Sequence, residues 1–232
     1  MKNYLLLISL FLLSIIEPAK SQNFHWELLD SSYILMNHSN VGSQLRYWAV
    51  DCADSLNCIA IGNLQMQLPF AKGTTDGGKT WTTVLTDTNI NGTDYYFPKR
   101  LCDVSYIDTN LCIIVADSGY YWRSTDRCRT WTKSKYNANY SKKLAFEYRI
   151  SMFDNLRGGI ATPLKDFLLT TDGGMTWYIP TINLSDSLLP TGSQDIQIVD
   201  EKTVVALAYN QTFKDYIIRS DDFGLNWNAY TT

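Results

Sequence analysis

The segment Thr74-Thr75-Asp76-Gly77-Gly78-Lys79-Thr80-Trp81 recurs as Thr170-Thr171-Asp172-Gly173-Gly174-Met175-Thr176-Trp177, and this repetition decides how the chain is read. Two degenerate copies accompany the pair. Ser124-Thr125-Asp126-Arg127-Cys128-Arg129-Thr130-Trp131 has Cys128 where the second glycine stands, and Ser220-Asp221-Asp222-Phe223-Gly224-Leu225-Asn226-Trp227 has Asn226 for the threonine. All fit one template, Ser/Thr-x-Asp-x-Gly/Cys-x-Thr/Asn-Trp, and their tryptophans stand 50, 46 and 50 residues apart.

A second landmark keeps the same beat. Ile107-Asp108, Phe153-Asp154 and Val199-Asp200 lie 46 residues apart, and each closes a short apolar stretch. Within a repeat we read a strand ending at that aspartate, a turn, and a second apolar strand (CIAIG, LCIIVA, GGIA, TVVALA). A third strand (FAKGTT, YYWRST, DFLLTT, YIIRSD) leads into the box, and a fourth starts at the tryptophan. Several strands are apolar on both alternating faces, as stacked sheets require. The expected fold is therefore all-β, a β-propeller of four-stranded antiparallel blades spanning about 44–86, 100–134, 147–180 and 194–230.

The box explains itself as a turn. Asp-Gly and Gly-Gly supply the positive φ of a tight hairpin, while carboxylate and hydroxyl oxygens accept backbone N–H groups. The tryptophan gives a large apolar surface to pack beneath the turn. The residues expected to hold the blades are Asp76, Gly78, Thr80 and Trp81; Asp126, Thr130 and Trp131; Asp172, Gly174, Thr176 and Trp177; and Asp222, Gly224 and Trp227. Cys128 occupies a glycine conformation, so the second turn is expected to be distorted.

These residues resemble the Asp-box, or bacterial neuraminidase repeat, of sialidases, some seven-bladed glucanases and sortilin-type receptors. The fuller pattern, apolar strand ending in Asp, second apolar strand, then T-T-D-G-G-x-T-W, is most similar to propellers of the photosystem II stability and assembly factor type. The resemblance covers about residues 44–230. It implies that Asp76, Asp126, Asp172 and Asp222 are scaffold, lying away from the face that meets ligands.

Ahead of the repeats, Lys2 precedes an apolar run from Tyr4 to Ile16, shorter than the roughly 20 residues of a membrane-spanning helix. It reads as a secretory signal peptide, residues 1–21, with Ala19 and Ser21 at the small positions of a cleavage site. The expected location is extracellular or periplasmic, with no transmembrane segment after its removal. All five cysteines lie beyond it. A hairpin at ADSLN would put Cys52 opposite Cys58, a plausible disulfide. A turn centred on Asp108 to Asn110 puts Tyr106, not Cys102, opposite Cys112, which weakens that second pairing. Sequons stand at Asn37, Asn91, Asn139, Asn183 and Asn210.

Composition narrows the function. With two histidines and no C-x-x-C pair, the chain offers little for a His base or a metal centre, and neither metal nor cofactor is expected. A net charge of −3 argues against nucleic acid. Gly73 to Thr80 satisfies G-x-x-x-x-G-K-S/T, yet the following T-W-T-T-V-L is strand-like where a phosphate loop needs a helix. Tyr148-Arg149-Ile150-Ser151 offers sialidase residue types without the sialidase order, and Asp108, Asp154 and Asp200 read as turn formers. Arg123, Arg127, Arg129 and Lys133 form a basic cluster around the second box, read as solvated.

The connections between blades are unusually aromatic and basic. Tyr95, Tyr96, Lys99, Arg100, Tyr136, Tyr140, Tyr209 and Phe213 are the candidate binding residues. No catalytic residue is assigned. The reading is a secreted, non-enzymatic scaffold for a protein or carbohydrate partner; the rivals are a sialidase-type glycoside hydrolase and a carbohydrate-binding surface module. Trp26 in His25-Trp26-Glu27-Leu28-Leu29 resembles a further outer strand over 23–30. Either the ring needs more blades or that strand plays another part.

Overall fold

A computed structural model describes residues 45–64, 68–86, 100–136, 148–162, 167–212 and 214–231. The expected signal segment, the strand at 23–30, and Tyr95, Tyr96, Lys99, Tyr140 and Phe213 lie outside these described residues.

Four antiparallel sheets follow one another along the chain. The first contains β1 (Leu45–Cys52), β2 (Cys58–Leu64), β3 (Leu68–Thr74) and β4 (Thr82–Thr86). The second contains β5 (Leu101–Tyr106), β6 (Cys112–Ala116), β7 (Tyr120–Ser124) and β8 (Thr132–Lys135). The third has β9 (Arg149–Met152), β10 (Gly158–Ala161) and β11 (Phe167–Thr170), and the fourth has β12 (Gly192–Ile198), β13 (Val204–Tyr209), β14 (Asp215–Ser220) and β15 (Asn228–Tyr230).

The third sheet departs from the expected four strands. Its outer position is a single bridge, in which Leu169 and Tyr178 exchange two N–H to carbonyl bonds of 2.9 Å. The next bonded pair would fall at Pro180, which has no N–H to donate.

Consecutive sheets stack face to face through their inner strands: β1 and β2 meet β5, β5 and β6 meet β9, and β9 and β10 meet β12. The period-2 alternation of β6 shows how one strand serves two cores. Cys112, Ile114 and Ala116 face the first sheet, with Ile59, Ile61 and Trp122. Ile113 and Val115 face the third, with Tyr121, Tyr148, Ile160 and Leu168. A third core joins Phe167 and Leu169 to Ile196, Ile218 and Trp227. Burying each such side chain contributes about 1.5–3 kcal/mol. Gly159 permits a close approach, since a Cβ there would come 2.6 Å from Ile196 Cδ1.

β10 and β11 are buried throughout, whereas β14 alternates exposed and buried because, among the described residues, one of its faces has no sheet upon it. This is the stacking of propeller blades. Among the described residues the four blades form an arc that does not close. Cys52 and Cys58 are partners in register and disulfide-bonded. Tyr106 pairs with Cys112, leaving Cys102 and Cys112 in different cores, so these two do not meet.

Candidate functional site

Each box joins the third strand of a blade to its outer edge, and the same bonds recur. Thr74 Oγ1 donates to Asp76 Oδ1 at 2.8 Å while accepting the Gly78 N–H at 2.9 Å. The Asp76 carboxylate in turn accepts the Thr80 N–H at 2.9 Å and its hydroxyl at 2.6 Å. Asp172 and Asp222 have equivalent partners, Asn226 Nδ2 replacing the threonine hydroxyl in the latter. Thr80 above all, then Thr74, holds the Asp76 carboxyl down to about 2, and Thr130 does the same for Asp126. Carboxylates this acidic, with both oxygens accepting, are poor proton donors and acceptors at neutral pH.

The second box is not distorted, contrary to expectation. Arg127 and Cys128 adopt φ of 62° and 60°, matching 72° and 86° at Gly77 and Gly78. Ser124 Oγ still accepts the Cys128 N–H, at 3.1 Å, and Asp126 still holds Thr130. The difference appears in the indole: Trp81 Nε1 donates to Gly78 O within its own box, whereas Trp131 Nε1 donates to Val84 O of the first blade at 3.0 Å. A Cβ at Gly78 would stand 3.6 Å from the indole nitrogen, an ordinary contact.

At the same end of the blades, Asp108, Asp154 and Asp200 close the turns between first and second strands, each accepting two backbone N–H groups at 2.6 to 2.8 Å. Asp54 does the same for Leu56 and Asn57. The basic cluster is also partly structural. Arg123 Nε donates to Gly173 O in the third box at 2.7 Å, and Lys133 lies 5.1 Å over the Trp122 ring. Gly73 to Thr80 turns between two strands, the wrong setting for a phosphate loop.

The opposite end of the blades carries the rest. Arg100 precedes β5, Arg149 opens β9 and Tyr209 closes β13, all at the end away from the boxes. The Arg100 guanidinium stacks 5.5 Å over the Trp48 ring, and Trp48 is exposed. Tyr209 packs over Gly192. Tyr136 is not a surface residue: it is buried between Tyr121 and Tyr148, with ring centroids at 6.1 and 5.8 Å, and so joins the second and third blades. Tyr148 of the Tyr-Arg-Ile-Ser segment is fully buried.

Two clefts complete the picture. On this face Phe167, Ile179, Pro180, Ile182, Leu189 and Pro190 wall a cleft of about 280 Å³, with Thr191 and Gln211 at its rim. Composition did not reveal it, because it forms where the connection after the third box meets the loop after β13. On the box face a cleft of about 620 Å³ opens between the first and second blades, walled by Thr74, Thr80, Val84, Tyr106, Arg127 and Cys128 among others. Among the described residues no helix is long and apolar enough to cross a membrane.

The fold defines a β-propeller scaffold, and solved structures agree. The chain is similar to YCF48 bound to D1 peptide, with 15% identity, a TM-score of 0.55, and coverage of 82% of this chain and 56% of that one. An ancestral GH74 enzyme gives 12% identity and a TM-score of 0.59, over 82% of this chain and 26% of the enzyme. Trypanosoma rangeli sialidase in complex with sialic acid gives 11% and 0.51, over 81% and 37%. At these identities the likeness is one of fold, and the chain spans little more than half of the YCF48 chain. No protein-family model matches the sequence, and no curated protein does.

Proposed function

We propose that the chain is a secreted, non-enzymatic binding or assembly scaffold, whose Asp-box turns hold the blades while the opposite face takes a protein partner. The observation that carries this reading is the cleft beside Ile179 and Leu189, both exposed apolar side chains, with two prolines in its wall. Exposed apolar side chains around a concavity gain by being covered, and Thr191 and Gln211 can bond a peptide backbone at the rim. Arg100 over Trp48 adds a cation and an aromatic ring to the same end of the blades.

A fold-mate solved with a bound peptide supports a protein partner. The sialidase and GH74 neighbours support the rival glycan-processing reading. That chemistry needs a carboxyl pair available for proton or glycosyl transfer. Here the box and turn carboxylates are committed to backbone and hydroxyl donors. Secretion rests on the apolar run ending at Ile16 and on the Cys52–Cys58 disulfide, which an oxidising compartment maintains.

The test is a panel of extended apolar peptides titrated against the protein and against the double variant Ile179→Asp, Leu189→Asp. Affinity is expected to fall about tenfold or more, as for loss of an interface anchor. Turnover of a fluorogenic sialoside or glucan would overturn the non-enzymatic reading.

A further inference from the structure

Cys128 stands where the other boxes have Gly78, Gly174 and Gly224, and it adopts a left-handed φ of 60° that a residue with a Cβ reaches only at a cost. Its side chain is buried in the same core as Cys112 and Tyr106. Strand register explains the meeting. Cys112 opens β6, paired with Tyr106 on one side and Ser124 on the other, and the Ser124 hydroxyl accepts the Cys128 N–H at 3.1 Å. The two thiols therefore share one core under the turn, beside Tyr106. Both are free thiols, and Cys128 also walls the cleft between the first two boxes.

We propose that Cys112 and Cys128 are a disulfide site, a second cross-link beside Cys52–Cys58, formed when a disulfide oxidant such as oxidised glutathione reaches Cys128 through that cleft. The neighbouring Cys112 thiol, joined by the Tyr106 hydroxyl, lowers the Cys128 thiol against the opposing effect of burial. Cys128 is thus the attacking thiolate. It bonds to one sulfur of the oxidant, whose own S–S bond breaks and releases one glutathione thiolate, which takes up a proton. Burial pushes the Cys112 thiol well up, so it reacts second. It loses its proton to solvent and attacks the Cys128 sulfur of the mixed disulfide, releasing the second glutathione. Two protein thiols are oxidised to one disulfide, and one glutathione disulfide is reduced to two thiols.

Cys102 stays outside this exchange. It lies in the core between the second and third blades, its thiol donating to Arg100 O at 3.9 Å and pushed up to about 12, chiefly by burial.

The experiment is folding of the full chain in a glutathione redox buffer, denaturation with iodoacetamide present, and peptide mass spectrometry without reduction. A linked peptide pair carrying Cys112 and Cys128 is expected, with Cys102 alkylated. Alkylation of both Cys112 and Cys128, or a Cys102–Cys112 link, would overturn the proposal. Cys128→Gly restores the residue of the sister boxes and is expected to fold with Cys52–Cys58 intact and Cys112 alkylated. Cys112 found in any disulfide of that variant would equally overturn it.

Discussion

The carboxylate of Asp51, on the inner strand of the first blade, accepts the N–H of Tyr106 on the inner strand of the second at 2.7 Å. Inner strands pair on one edge only, so their other N–H groups need partners from across the blade boundary. The device repeats: Asp103 accepts the Ile150 N–H at 3.0 Å, and Ser151 Oγ accepts the Ile198 N–H at 3.1 Å. Blades joined only by apolar packing could slide; these bonds fix their register.

Replacing Asp51 with alanine strands the Tyr106 N–H and also frees the Cys52 N–H that Asp51 holds at 2.8 Å. The expected loss is about 1–3 kcal/mol, the cost of an unsatisfied buried donor, and Asp51→Asn should lose less because an acceptor oxygen remains. Urea unfolding midpoints of the two variants measure this, and equal midpoints would show that the bond carries no stability.

Acid should loosen the boxes over a defined window. The folded pKa values of Asp76 and Asp126 are about 2, below the usual value of about 3.9 for a free aspartate. A depressed folded pKa contributes stability that is fully present above the unfolded pKa and lost as pH falls through the folded one. Melting temperature should therefore hold down to about pH 4 and drop between about pH 4 and 2. Asp76→Asn with Asp126→Asn should melt lower at neutral pH and lose less on acidification; parallel curves would remove the boxes from the acid response.

Box glycines should differ in their tolerance of a methyl group. At Gly174, φ is +76° and a Cβ would come 2.6 Å from Ile113 Cδ1 of the preceding blade. At Gly78, φ is +86° but the nearest atom would be Trp81 Nε1 at 3.6 Å, an ordinary contact. Gly78→Ala should then lose about 1–2 kcal/mol from backbone strain alone, and Gly174→Ala more, through the blade interface. Chemical denaturation ranks them, and an equal loss would mean the interface yields freely.

Most of the blade plan was legible because turn chemistry is local. The box, its 50, 46 and 50 residue spacing and the Cys52–Cys58 hairpin depend on neighbours in sequence. Asp54 escaped notice because Ala53 precedes it where the other turns have Ile107, Phe153 and Val199; its place four residues before Cys58, like Asp108 before Cys112, was the available signal. Pro180 also marked the missing outer strand of the third blade. What could not be read depends on contacts across blades: the Asp51 to Tyr106 bond, the burial of Tyr136, the cleft around Ile179, and the indole of Trp131 reaching Val84.

In the proposed function the two ends of the blades have separate roles, scaffold at the boxes and binding opposite. The most direct measurement is a melting temperature and a peptide-binding isotherm on two variants: Asp172→Ala in the third box, and Ile179→Asp with Leu189→Asp at the cleft. Asp172→Ala should melt several degrees lower yet bind unchanged below its transition, since a loss of 1 kcal/mol shifts a domain of this size by roughly 2–4 °C. The cleft variant should keep the wild-type melting temperature and lose binding. Loss of binding in folded Asp172→Ala, with full binding by the cleft variant, would contradict the account.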